Sequence, residues 1–230
     1  MSNNLQGQDV MTAFAISDFY QMLSISLRLP NHELAEAMLD GNYGQDAVNI
    51  LEELSCSREE MAKVREALNV LISAEEDATS FLIRMRREYT RLFDDPKKPA
   101  LSIYETLFLH NPEEANGGVM LFMSPAALDA ERCYREAGVR VVKQSAEPAD
   151  HMATELEFMM YLYARKGKAL QEQNSEELAE IEKQIKGFEE LHLKKWGQKF
   201  FEMLQTETNE VTYLAVAQVA LLGLTKIMQV

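Results

Sequence analysis

Apolar side chains recur at three- and four-residue spacing along most of this chain, the period of a helix with one buried face. Phe81, Met85, Tyr89 and Leu92 form one such stripe, and Met152, Leu156, Met159 and Tyr163 form another. The six prolines, Pro30, Pro96, Pro99, Pro112, Pro125 and Pro148, leave 31–95 and 149–230 free of the strongest helix breaker. Start signals agree with the period. Ser57 with Glu60 and Asn174 with Glu177 have capping-box spacing, and Ser124-Pro125 supplies an N-cap followed by a first-turn proline.

These signals predict helices near 9–28, 31–40, 45–55, 58–93, 101–109, 125–137, 149–172, 175–204 and 209–228. The expected fold is all-α: a single-domain bundle of about nine helices spanning 1–230. The run Val139-Arg140-Val141-Val142 is too short and isolated to build a sheet and is expected to be an extended connector. Two polar breaks, 94–100 (DDPKKPA) and 110–118 (HNPEEANGG), bracket the apolar segment LSIYETLFL, which is expected to form a lid or a hinge near 94–118.

Composition then narrows the class. The formal charge of −14, from 37 acidic and 23 basic side chains, repels phosphate backbones and anionic lipid, so nucleic acid is not an expected partner and a basic partner is. A negative surface also serves solubility alone. The apolar stretch VTYLAVAQVALLGLTKIM is interrupted by Thr212, Gln218 and Lys226 and reads as a buried helix, with no stable membrane insertion. Two cysteines, Cys56 and Cys133, form neither a CxxC nor a disulfide framework. The N-terminus lacks the basic and apolar regions of a secretory signal, so a cytoplasmic location is expected.

Candidate chemistry concentrates in Glu147-Pro148-Ala149-Asp150-His151, where a proline-fixed turn feeds a helix and gathers two carboxylates and an imidazole. Asp150 there has the position of an N-cap for a helix beginning at His151, which would account for the residue without any function. His151 and Glu155 stand one turn apart, but HxxxE lacks the second histidine of HExxH, so no metal is expected. No GxSxG, cysteine–histidine pair or complete phosphate loop is present, and Asn116-Gly117-Gly118 lacks the Lys-Ser/Thr of a P-loop. The chain is therefore expected to be no enzyme and to carry no cofactor. Arg84, Arg86, Arg87 and Arg91 are expected to line a solvated helix face and pair with surplus carboxylates. Met120, Met123, Met152, Met159 and Met160 fall near the candidate site; methionines at helical spacing usually fill a core, yet flexible thioethers also suit a peptide groove.

Three segments, in order and spacing, resemble the TorD/DmsD family of redox-enzyme maturation chaperones, to which nitrate reductase delta-type chaperones are more distantly similar. They are Glu88-Tyr89-Thr90-Arg91-Leu92-Phe93 with Pro99 and Ser102-Ile103-Tyr104; Glu147-Pro148-Ala149-Asp150-His151 with Glu155-Leu156-Glu157-Phe158-Met159; and Phe188, His192-Leu193, Trp196 and Phe200. Ala100-Leu101 departs from the aromatic or glycine that members often carry between proline and serine.

The resemblance implies an all-α chaperone that binds the twin-arginine leader peptide, and sometimes the body, of the apo form of a molybdenum oxidoreductase until its molybdopterin is inserted. It implies a leader pocket formed by Glu147, Pro148, Asp150 and His151, with Ser102 and Tyr104 lining it, while Phe188, His192 and Trp196 hold the fold. A twin-arginine leader joins a cationic region to an apolar one, so its receptor needs carboxylates beside an apolar groove. Glu147 or Asp150 would meet the arginines, and the Met-rich helix 149–163 with Phe122 would receive the apolar part. Rival readings are a structural or assembly subunit of an anaerobic oxidoreductase complex, nitrate reductase delta-like, and a nucleotide-responsive protein. Both a monomer and a domain-swapped homodimer, exchanged at the hinge, fit the sequence.

Overall fold

A computed structural model describes residues 2–72, 76–110, 123–140 and 148–228, and the side chains among them from residue 7 onward. The described chain is helical without a named strand: α1 (Ser2–Ser26), α2 (His32–Leu39), α3 (Asn42–Glu53), α4 (Ala62–Ile72), α5 (Ala78–Tyr89), α6 (Glu105–Phe108), α7 (Pro125–Glu136), α8 (Met152–Gln171), α9 (Ser175–Phe188), α10 (Lys194–Glu207) and α11 (Val211–Ile227). Two π turns, Thr90–Asp94 and Glu189–Leu193, continue α5 and join α9 to α10. Counted through those turns, nine continuous helices among the described residues have seven residues or more, and the class is all-α.

One contiguous core runs through residues from α1 to α11. The α1 stripe Ile16, Phe19, Tyr20 and Leu23 is buried, and α1 lies along α8. Two hydroxyls tie that pair: Ser17 donates to the Met160 carbonyl at 3.0 Å and Ser24 to that of Ala153 at 2.7 Å. Glycine allows the closest approaches, since a Cβ on Gly223 would fall 2.1 Å from Phe19 and one on Gly167 2.9 Å from Phe14. The apolar C-terminal stretch is a buried helix as expected: Ala215, Val216, Ala217, Val219 and Ala220 are inaccessible to solvent. No described helix is long and apolar enough to cross a membrane.

The start signals act largely as read. Ser57 and Glu60 form reciprocal capping bonds, 2.7 Å from the Ser57 amide to the Glu60 carboxylate and 3.3 Å from the Glu60 amide to the Ser57 hydroxyl. The Asn174 and Ser124 side chains cap α9 and α7. The expectation of one helix over 58–93 is corrected: α4 ends at Ile72 and α5 begins afresh behind Asp77, whose carboxylate accepts the Thr79 and Ser80 amides. A strong N-cap inside a periodic run starts a new helix there.

Among the described residues the arginine cluster pairs with carboxylates at two of its positions, Arg91 locally and Arg84 also at long range. Arg84 meets Glu76 and Glu210, and Arg91 meets the buried Glu88 at 2.7 Å while also donating to the Glu207 carbonyl. Arg86 donates instead to the Pro30 carbonyl. Met152 and Met159 are fully buried and fill the core, the commoner role of methionines at helical spacing, and α1 lies along this helix. Met120, Phe122, Val141, Val142 and the 111–118 part of the expected hinge lie outside the described residues.

Candidate functional site

Segment 100–109 is not a free loop. Its start is fastened to the end of the α5 π turn by Ala100 and Leu101 amides donating to the Arg91 and Leu92 carbonyls at 3.1 and 2.8 Å, and Leu101 and Ile103 are buried. It then runs antiparallel to the chain approaching α8. The Glu105 amide donates to the Asp150 carbonyl and the Met152 amide to the Ile103 carbonyl, both at 2.9 Å, which makes an isolated bridge between Tyr104 and His151. Their rings meet edge to face at 5.2 Å. The structure thus joins two segments that are far apart in sequence and that carry Ser102, Tyr104, Pro148, Asp150 and His151. Glu147 lies outside the described residues.

Each side chain has a local task. Ser102 is half-buried, and its hydroxyl accepts the Tyr104 amide at 3.4 Å, fixing the turn before the bridge. His151, not Asp150, is the N-cap of α8: its Nδ1 accepts the Ala153 amide at 3.1 Å. That requires a neutral ring with the proton on Nε2. Burial, with a contribution from Arg28, pushes the imidazole down to about 3.

Asp150 is committed elsewhere. Its Oδ2 accepts the Thr106 amide at 3.0 Å and the Thr106 hydroxyl at 2.5 Å. Thr106 has one hydroxyl proton, so the 2.6 Å contact between the Thr106 and Ser124 hydroxyls uses the Ser124 proton. Ser124 also accepts the Ala127 amide as the cap of α7. One carboxylate therefore ties α6, the start of α7 and the approach to α8 together. Asp150 Oδ1 is buried without a partner among the described residues, and burial raises this carboxyl above its usual range against the Thr106 bonds.

Behind the bridge lies a second polar layer. The π turn Glu189–Leu193 carries His192, whose Nδ1 is 2.7 Å from Glu105 and whose Nε2 is 3.2 Å from Asp129. The Phe188 ring stacks on the imidazole at 4.6 Å. Burial opposes charge on His192, but hydrogen bonding by the Cys133 sulfur and Glu105, with the fields of Glu155 and Glu105, lifts it to about 10. His192 is an imidazolium at neutral pH. Glu155 accepts Trp196 Nε1 at 3.1 Å with one oxygen and has no partner for the other among the described residues; burial and the nearby Glu105 push its carboxyl well up.

Two groups of three have the reach to hold a cation, Glu105 with Glu155 and His192, and Asp129 with Cys133 and His192. Both depend on His192, and an imidazolium whose two N–H groups face carboxylates has no lone pair to give. With His192 charged, the arrangement is a closed ion cluster. Neither group includes His151 among the described residues. Sequence reasoning placed Ser102, Tyr104, Pro148, Asp150 and His151 at one site but missed Glu105, Thr106 and Asp129. The available signal was an acid, Glu105, inside the apolar run LSIYETLFL.

The family model described as nitrate reductase delta subunit matches residues 57–202. The match covers more than half of the chain, and the protein belongs to that family, the NarJ/TorD-type chaperones of molybdoenzyme maturation. A search of curated proteins finds no match.

Proposed function

We propose that this protein is a cytoplasmic chaperone that binds the twin-arginine leader of a molybdenum oxidoreductase and assists maturation and cofactor insertion before export. Family membership supports the molybdoenzyme client. The observation that carries the rest is the Tyr104–His151 bridge with Asp150 beneath it, a buried carboxylate with one oxygen unpartnered among the described residues. Ser102 and Tyr104 offer the half-buried outer surface, and Pro148 precedes Asp150 on the opposing segment. A leader arginine that displaced the contacts over Asp150 would meet an acceptor already desolvated, where a bidentate pair is strongest.

Isothermal titration with synthetic twin-arginine leaders, beside controls in which both arginines are lysine, tests this reading. Arginine-dependent binding weakened at least about tenfold by Asp150→Ala or Tyr104→Ala, a loss of about 1.4 kcal/mol, is the expected result. No binding to any leader would favour a structural subunit of an oxidoreductase complex instead.

A further inference from the structure

A cavity of about 760 Å³ opens between α1, α8, α9, α10 and α11, within the size range of small-molecule sites. It shares no lining residue with the Tyr104–His151 bridge. Core side chains make its floor: Leu156 and Phe201 are fully buried, Tyr20 is 2% exposed, and Ile185 and Leu193 are buried beside them. The Tyr20 and Tyr163 rings lie 5.8 Å apart in this wall.

Two polar features single the cavity out. The first is Tyr20, whose hydroxyl makes no hydrogen bond among the described residues although the side chain lines the cavity and is otherwise buried. A phenol at this depth ordinarily finds an acceptor, as the neighbouring Tyr163 does by donating to Glu189 at 3.5 Å. Burial, with Tyr163 and Glu189 close by, raises the Tyr20 phenol, so it keeps its proton and has one to donate. The second feature is charge. In a chain of formal charge −14 this lining is net positive, with Lys166, Lys186 and Lys194 against Glu182 and Glu189. Lys166 pairs with Glu182 and Lys194 with Glu189, both at 3.1 Å, which leaves the exposed Lys186 without an ion-pair partner among the described residues.

A donor deep in an aromatic wall and a cation at the rim together call for a ligand with an acceptor at its inner end, a flat apolar body and an anion at its outer end. We propose that this cavity binds a small aromatic carboxylate bearing a hydrogen-bond acceptor on its rings, with the acceptor on the Tyr20 hydroxyl, the rings among Leu156, Tyr163 and Phe201, and the carboxylate at Lys186. A simple acyl chain would leave Tyr20 unpaired, and a cationic ligand would meet the lysine rim. This binding activity goes beyond recognition of a leader peptide at the bridge.

The test is isothermal titration with 6-hydroxy-2-naphthoate, whose hydroxyl and carboxylate sit at opposite ends of two fused rings. Three comparison ligands each lack one part: 2-naphthoate has no acceptor, 2-naphthol has no anion, and decanoate has no rings. The wild-type protein should bind 6-hydroxy-2-naphthoate about tenfold or more tightly than any of the three. Tyr20→Phe, which removes only the hydroxyl, should lower that affinity to the level of 2-naphthoate, and Lys186→Gln to the level of 2-naphthol. Lys183→Gln, also exposed on α9 but outside the lining, should change it by about twofold or less. Lys183 and Lys186 are exposed and Tyr20→Phe deletes an unpaired polar group, so all three variants are expected to fold, as a circular dichroism melt checks. No saturable binding of 6-hydroxy-2-naphthoate, equal affinity for 2-naphthoate or 2-naphthol, unchanged affinity in Tyr20→Phe, or tighter binding of decanoate would each overturn the proposal.

Discussion

His192 Nδ1 lies 2.7 Å from Glu105 Oε2, joining a π turn late in the chain to the first residue of α6, 87 positions earlier. The contact is buried on both sides and places a charge beneath the Tyr104–His151 bridge. Its stability is therefore tied to pH.

The folded-state value of His192, about 10, lies above the ordinary 6.5, so its contribution is fully present below pH 6.5 and is lost as pH rises towards 10. Denaturant titrations of the wild-type protein and His192→Asn across that window should show a stability difference that shrinks with rising pH, by up to ~4 kcal/mol. A difference constant with pH would mean that His192 is not charged in the folded state.

Thr106→Val keeps the shape of the side chain and removes its hydroxyl from Asp150 and Ser124. With Asp150 Oδ1 already unpartnered, the variant should lose about 2 kcal/mol in urea denaturation. Thr106→Ser should recover most of it.

Glu88 is 6% exposed and accepts Arg91 at 2.7 and 2.8 Å, the Asn209 amide at 2.7 Å and the Thr208 hydroxyl at 3.0 Å. Burial alone would raise its carboxyl, but these four bonds hold it below the usual range. Its stabilisation is thus present above about pH 4.5 and is lost on acidification. Glu88→Ala should cost about 3 kcal/mol at neutral pH, because Arg91 and two donors lose their acceptor, and less at acid pH.

Two glycines should respond oppositely. Gly223→Ala puts a methyl against Phe19, which is fully buried, and should destabilise by about 2 kcal/mol. Gly187→Ala, in α9 with nothing within 4 Å of the new Cβ, should raise stability by about 0.5–1 kcal/mol. Thermal melts of the two variants decide the point.

Local chemistry in the sequence was enough to set the class. Helical period, proline placement and caps at Ser57, Asn174 and Ser124 act over a few residues, and each acts in the fold where the sequence puts it. Burial of α11 followed from its composition alone. The segments carrying Ser102-Ile103-Tyr104 and Pro148-Ala149-Asp150-His151 were legible as candidates through family resemblance.

Tertiary structure decided what those residues do. Asp150 looked like a cap because caps are local, yet its acceptor bonds go to Thr106, 44 positions away, and His151 takes the cap instead. The break at Asp77, the burial of Met152 and Met159, and the assembly of Glu105, Asp129 and His192 depend on pairs distant in sequence. Periodicity tells which face of a helix is apolar, but not which surface covers it, nor which buried acid meets which base.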